Sequence, residues 1–474
     1  MLFASWLRRL TMGSATRSRR RGSSPPLSRR SVLPRLDVLE DRSLPSTFTV
    51  TNLLDGPSPG PSGSLRAGIL SGDATIAFAP ALHGTIALSS ELPINHSVTI
   101  NGPGANHLSV SGDNTYRVFD ISNNATVTID SLTIKDGQTV GGDGQPHGGY
   151  GGGILNEAGA TLNLDHIVMT DNQAMAGTGG IVGGSGGAIE NLGSLAVSVS
   201  TFTNNEASLN SMFIMNSDKF GSNGGAIDSS GPSLTVNSST FSTNTAAGTS
   251  TQNGSGNGGA IFSLSSTATV TNSTFNGNAA LGRDDAAGAI DEAGGLMTIS
   301  NSTFTSNRVV GGNGANDITY GSGGEALGGA ITNAAPLTIS NSTFTDNVAK
   351  AGDGGDASSD GIDFIAGRSQ VGTATGGGVV NFFSSLTVTN STFTDNQAIG
   401  GNSAMGPGGD AAGGGVVAAG TNLGGGTTTL TNVTFAGNQA IGGSGGSSGI
   451  FNSIPYTGAG GRGFGGGFYN GIYS

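Results

Sequence analysis

The sequence predicts an all-β solenoid: a right-handed, single-stranded parallel β-helix with three short strands per coil and an N-terminal helical cap. Three observations predict it. A phrase built of a small-residue cluster such as G-G-A before Ile or Val, then an alternating apolar run, then F-x-x-N with Met for Phe in the first copy, recurs eight times across residues 148–474. The spacing inside the phrase is nearly constant while the connectors between phrases vary, which is how stacked repeats read. Finally, 86 of 474 residues are Gly and only 11% are charged, yet Val, Ile and Thr alternate densely, so neither an ordinary globular core nor disorder fits.

The first strand of each coil begins at the apolar residue after the small-residue cluster: Ile154, Ile189, Ile227, Ile261, Ile290, Ile331, Val379 and Val416. The Phe slot follows 13 to 15 residues later in seven copies and 19 in the last, where Gly424–Gly426 are inserted. It holds Met169, Phe202, Phe241, Phe275, Phe304, Phe344, Phe393 and Phe435. Within "PLTISNSTFTDN", Leu337 and Ile339 share one face of a strand and Phe344 has the opposite parity. A bend at Asn341–Ser342 returns all three to one interior, so the run is two strands meeting at a corner. Successive coils then stack at about 4.8 Å, the inter-strand spacing.

Three residues after each Phe slot the chain always has Asn: Asn172, Asn205, Asn244, Asn278, Asn307, Asn347, Asn396 and Asn438. A carboxamide donates and accepts, so equivalent Asn side chains can form a ladder along the stack. The Phe residues are expected to form the core stack. No single coil buries its own apolar face, which is why the phrase must recur.

Residues 47–147 continue the pattern without the full phrase, through short alternating segments such as "TFTVT", "GTIALSS" and "ATVTIDSLTI". Within "SLRAGIL" (64–70), Leu65, Ile69 and Leu70 have helical spacing and are expected to cap the first coil, with Arg66 facing solvent. Residues 1–46 hold ten Arg against Asp37, Glu40 and Asp41, a net of +7; the whole chain is −12, so the remainder carries −19. The segment reads as a basic disordered leader without an apolar run long enough to span a membrane. The acidic body lacks the means to neutralise a run of phosphates, which argues against nucleic-acid binding. Cysteine is absent, excluding disulfides and thiolate metal sites.

Two resemblances follow from quoted motifs. "LDVLEDRSLPSTFTVTNLLD" (36–55) with "GSLRAGIL" (63–70) resembles the start of large extracellular repeat proteins of planctomycete bacteria, which implies that Leu39, Glu40, Asp41 and Arg42 belong to a sorting signal. The repeated G-G-A-[I/L/V] and F-x-x-N elements of 148–474 resemble those of polymorphic outer-membrane proteins and related bacterial surface β-helices. Both imply a secreted or cell-surface protein. "GGGFYNGIYS" (465–474) opens a further repeat without completing it. The expectation is an open edge that pairs end to end with another molecule, or a longer chain.

Candidate chemistry is sparse. Glycoside hydrolysis needs two carboxyls at fixed separation, and the strands show mainly Ser, Thr and Asn. Asp165–His166, Asp284–Asp285 and Asp291–Glu292 are the tight polar groupings near the coils, at non-equivalent positions, and read as solvated turn residues. His83, His96, His107, His147 and His166 show no metal-ligand spacing. "AGDGGDASSDGIDF" (351–364) puts Asp353, Asp356, Asp360 and Asp363 in one Gly-rich loop, a candidate Ca2+ site or else a solvated acidic loop. No other cofactor is indicated. The sequons at Asn237, Asn272, Asn301, Asn341, Asn390 and Asn432 recur because the repeat recurs, as corner residues. The functional expectation is a non-catalytic rigid scaffold or adhesive surface whose partner is an extracellular polysaccharide or surface protein. The alternative is a polysaccharide-processing lyase or glycoside hydrolase with its site between residues 75 and 170.

Overall fold

A computed structural model describes residues 46–142, 149–177, 183–209, 221–248, 254–265, 267–314, 322–355, 371–404, 406–420, 426–451 and 454–472. Within the compact unit Pro45–Ser474, the chain is a parallel β-helix whose strands stack in long parallel sheets. The phrase supplies three of them. Segments such as Ile331–Asn333 form an 11-stranded Ile sheet, Leu337–Ser340 and its equivalents a 12-stranded Leu/Val sheet, and Thr343–Thr345 and its equivalents an 11-stranded Phe sheet. Every neighbouring pair in these sheets is parallel and in register, Phe304 opposite Phe344 and Ile299 opposite Ile339.

Two further sheets complete the coil. After the conserved-spacing Asn, strands such as Val348–Lys350 form a nine-stranded Ala sheet, and before G-G-A, strands such as Ala326–Leu327 form a seven-stranded outer sheet. The sequence pattern showed the first three because they carry large apolar residues. The last two are packed by Ala280, Val309, Ala326, Ala349, Ala374 and Ala398, a thin core of small side chains. Their backbones touch: a Cβ on Gly256 would overlap the carbonyl oxygen of Ala246. Much of the glycine is therefore structural, because two ribbons at this separation have no room for side chains between them.

The main core lies inside the three large sheets. Ring centroids from Phe202 through Phe393 are 4.6–4.9 Å apart with interplanar angles of 3–7°. This is a parallel stack in which the strand repeat, rather than ring electrostatics, sets the spacing. At the last coil the stack loosens, Phe393 and Phe435 being 5.3 Å apart at 21°.

Corners are fixed by residues with positive φ. Asn272, Asn301, Asn341, Asn390 and Asn432 sit at φ 49–52° at the corner between the Leu/Val and Phe strands, a conformation Asn tolerates because its side chain bonds locally. The sequon Asn237 is an exception: it ends the strand Ser233–Asn237, and the corner falls on Ser238 at φ 51°. From Ser200 to Ser391 the Ser after the corner forms a ladder of its own. Ser302 N–H donates to Ser342 Oγ at 3.2 Å, and Ser342 Oγ donates back to the Ser340 carbonyl at 2.8 Å, a pattern repeated at Ser200, Ser239, Ser273 and Ser391.

The helix Leu65–Ser71 is capped by Ser64 Oγ, which accepts from Ala67 N–H, and ends at Gly72 with φ 77°. Its orientation corrects the sequence expectation. Arg66 is only 4% exposed, while Leu70 is 46% exposed. Arg66 Nε and Nη2 grip the Asp55 carboxylate at 2.7 and 2.8 Å and the guanidinium also donates to the Ser90 and Glu91 carbonyls. Burial pushes the Asp55 carboxyl up, but the hydrogen bonds from Arg66 and Ser89 outweigh it and hold it below the ordinary carboxylate range. A bidentate partner and two carbonyls satisfy the guanidinium, so it can be covered by the first coil.

Candidate functional site

The eight Asn residues occupy one column. From Asn172 to Asn438 each Nδ2 donates to the next Oδ1 at 2.8–2.9 Å. From Asn205 on, each also donates to the carbonyl of the Phe slot one coil back, as Asn347 does to Phe304 at 2.9 Å, and takes the backbone N–H of the preceding Asn on its Oδ1; Asn172 makes the equivalent bonds to the Ile134 carbonyl and the Gly137 N–H. Their role in this structure is to tie coils together.

Of the acidic loop, Asp356, Asp360 and Asp363 lie outside the described residues. Asp353 is described. Its Oδ1 accepts from Asn402 N–H at 2.7 Å and its own N–H donates to Asn313 Oδ1 at 2.9 Å. Asn402 Oδ1 in turn accepts from Ser444, so Asp353 belongs to a loop ladder running from coil to coil. Asp284 Oδ1 likewise accepts from Glu325 N–H at 3.2 Å.

Asp165 and His166 gain a partner that sequence reading missed, Asp130. Asp130 and Asp165 are register partners at the end of the Leu/Val strands. His166, at φ 50°, occupies the corner and directs Nδ1 to within 3.1 Å of Asp165 Oδ1 and 3.7 Å of Asp130 Oδ1. The three candidate ligand atoms lie within 4.8 Å of one another, an arrangement able to hold a metal ion. Ser131 and Ser198 already donate to the two carboxylates, and all three side chains are substantially exposed. The signal for Asp130 was its place in "TIDSLTI", equivalent to "NLDHIVM" one coil on.

The second cluster is buried. Where the outer sheet turns through G-G-x into the Ile sheet, two columns of side chains meet across a corner. One runs Tyr150, Ser185, Asn223, Asn257 and the other Leu155, Glu190, Asp228, Phe262, each in coil-to-coil register. Gly224, at φ 58°, makes this turn, and a Cβ there would overlap the Ile227 carbonyl. Glu190 and Asp228 are each 4% exposed. Asp228 takes hydrogen bonds from Ser185 and Asn223, yet Asp228 Oδ1 and Glu190 Oε2 have no partner. Burial, then the neighbouring Asp228 carboxylate, push Glu190 well above the carboxyl range while Arg117 opposes; burial also raises Asp228 and, with both acids, the Tyr150 phenol.

Arg117 closes one end of this corner. It pairs with Glu91 at 3.0 Å and donates to the Tyr150 and Gly151 carbonyls. Above it lies a cleft of about 630 Å3 lined in part by Glu91, Arg117, Thr139 and Tyr150; Thr139 Oγ1 is buried without a partner. Further along, Asp291 and Glu292 are also buried, which pushes them to about 7 and about 8; the Asp291 charge adds to the rise in Glu292. Sequence reading placed this pair in solvent. The strand Ile290–Glu292 is in fact covered on both faces. The missed signal is an acid directly after the G-G-A-I apolar residue, in "GGAIEN", "GGAIDS" and "AGAIDE".

No protein-family model matches the chain, and no curated protein matches it. Among the described residues no helix is long and apolar enough to cross a membrane, which says nothing about membrane β-barrels.

Proposed function

We propose that the protein is a secreted or cell-surface β-helix serving as a rigid, non-catalytic scaffold that presents a polar face to an extracellular polysaccharide or surface protein. The observation that carries this reading is the outward row on the Phe sheet. Thr303 and Thr305, Thr343 and Thr345, Thr392 and Thr394 flank the buried rings in register. They give a flat array of hydroxyl and methyl groups repeating with the coils, suited to a ligand that itself repeats. The Asn ladder and Phe stack beneath hold that array rigid. Export is supported by the resemblance of residues 36–55 to planctomycete extracellular proteins and of the repeats to polymorphic outer-membrane proteins.

A polysaccharide-processing enzyme is the second reading, favoured by the cleft over Arg117, which falls within residues 75–170. The test has two arms. Retention on immobilised polysaccharides should fall when Thr303 and Thr343 are changed to Glu. A glycan-cleavage screen at neutral pH, with and without Ca2+, should show no turnover; cleavage abolished by Glu91→Gln or Arg117→Ala in the cleft, or by Asp165→Ala or His166→Ala, would overturn the scaffold reading.

A further inference from the structure

We propose that the Glu190–Asp228 corner is a binding site for a single divalent, oxygen-seeking cation of the Ca2+ class. The fold does not require acids there. In later coils the same corner is apolar: Ala412 packs with Val380 and Val417, and Phe464 lies 5.9 Å from Tyr469. Thr332, which takes the Glu190 position, donates to the Leu327 carbonyl at 2.9 Å and leaves nothing unsatisfied. Two acids replace these residues in adjacent coils, and each retains a buried oxygen without a donor.

A buried carboxylate oxygen lacking a donor is costly, and two side by side repel. A divalent ion removes both penalties at once and balances the two charges. Around the acids stand the Ser185 hydroxyl, the Asn223 carboxamide and the Tyr150 phenol, with Asn257 Nδ2 held 3.0 Å from Asn223 Oδ1. Asn223 Oδ1 is held by Asn257 and its Nδ2 serves Asp228, so the groups left for a cation are the two carboxylates, the Ser185 hydroxyl and the Tyr150 phenol, oxygens that suit a hard cation, with neither imidazole nor thiolate to favour zinc or copper. Arg117 supplies no substitute, since its guanidinium is engaged by Glu91 and two carbonyls.

The other acidic groups fit less well. Asp291 and Glu292 are consecutive in a strand and point to opposite faces, so they cannot chelate together. The Asp130, Asp165 and His166 group is exposed, and Asp353 Oδ1 is already used by Asn402.

The test uses the full chain prepared in chelator. Titration with CaCl2 should raise Tm saturably. Tb3+ should luminesce on tyrosine excitation, and the emission should drop in Tyr150→Phe. Glu190→Gln/Asp228→Asn should remove both responses, and Glu190→Val/Asp228→Val, copying Val380 and Val417, should fold without Ca2+ dependence. Asp165→Asn/His166→Ala should leave them intact. A wild-type Tm indifferent to millimolar Ca2+ would overturn the proposal. So would a Ca2+ response that survives Glu190→Gln/Asp228→Asn.

Discussion

Asn307 Nδ2 lies 2.9 Å from Asn347 Oδ1 and 3.0 Å from the Phe275 carbonyl, so one carboxamide joins three successive coils. Its Oδ1 also accepts the backbone and side-chain N–H groups of Asn278. Four hydrogen bonds therefore depend on one buried side chain.

Replacing Asn307 with Ala should orphan these partners at about 1–3 kcal/mol for each group left buried. Asn438, at the end of the ladder and only partly buried, should cost less on the same change. Asn307→Asp should be worse than its shape suggests, because a carboxylate would face the Asn347 and Phe275 oxygens. Chemical denaturation of the three variants gives the ranking; equal losses at the two positions would contradict it.

Phe304 sits between Phe275 and Phe344 at 4.8 and 4.7 Å. Phe304→Ala should cost about 3–5 kcal/mol by leaving a cavity inside the stack. Phe304→Met should cost much less, since Met169 already fills the equivalent slot of an earlier coil fully buried. A Phe304→Ala loss below about 1 kcal/mol would mean that the neighbouring coils collapse into the space.

Asp291 and Glu292 make stability depend on pH. Their folded pKa values, about 7 and about 8, lie above the ordinary values of 3.8 and 4.5, with burial the main cause. The folded state therefore holds protons that the unfolded chain has released. Their contribution is fully present below about pH 4, declines as pH rises, and is lost above about pH 8. Tm measured in chelator should fall across this window, and Asp291→Asn/Glu292→Gln should flatten the part due to this pair. A profile unchanged by those substitutions would place the titration elsewhere.

Gly224→Ala should destabilise the corner that carries Asp228, because the φ of 58° is strained for alanine and its Cβ would overlap the Ile227 carbonyl. Gly294→Ala is the control, since a Cβ there meets only the Leu264 side chain at 3.8 Å. Comparable Tm losses for the two would show that backbone strain is not the cause.

Recurrence made the coil legible in one dimension. A spacing repeated eight times can only be satisfied by stacking like on like, so the parallel strands and the columns beneath Phe304 and Asn307 follow from counting along the chain. Elements without large apolar residues escaped that reading: the Ala and outer sheets are held by small side chains and backbone contact, which leave no hydrophobic period. Arg66 was misjudged for a related reason. A helical face identifies charge, while its burial depends on Asp55 and the Ser90 carbonyl arriving from other turns. Glu190 and Asp228 are the sharpest case. They occupy the position after the Ile of the phrase, which varies from coil to coil, and only in-register stacking of consecutive coils, with the glycine corner folded over them, brings their two carboxylates into one closed space.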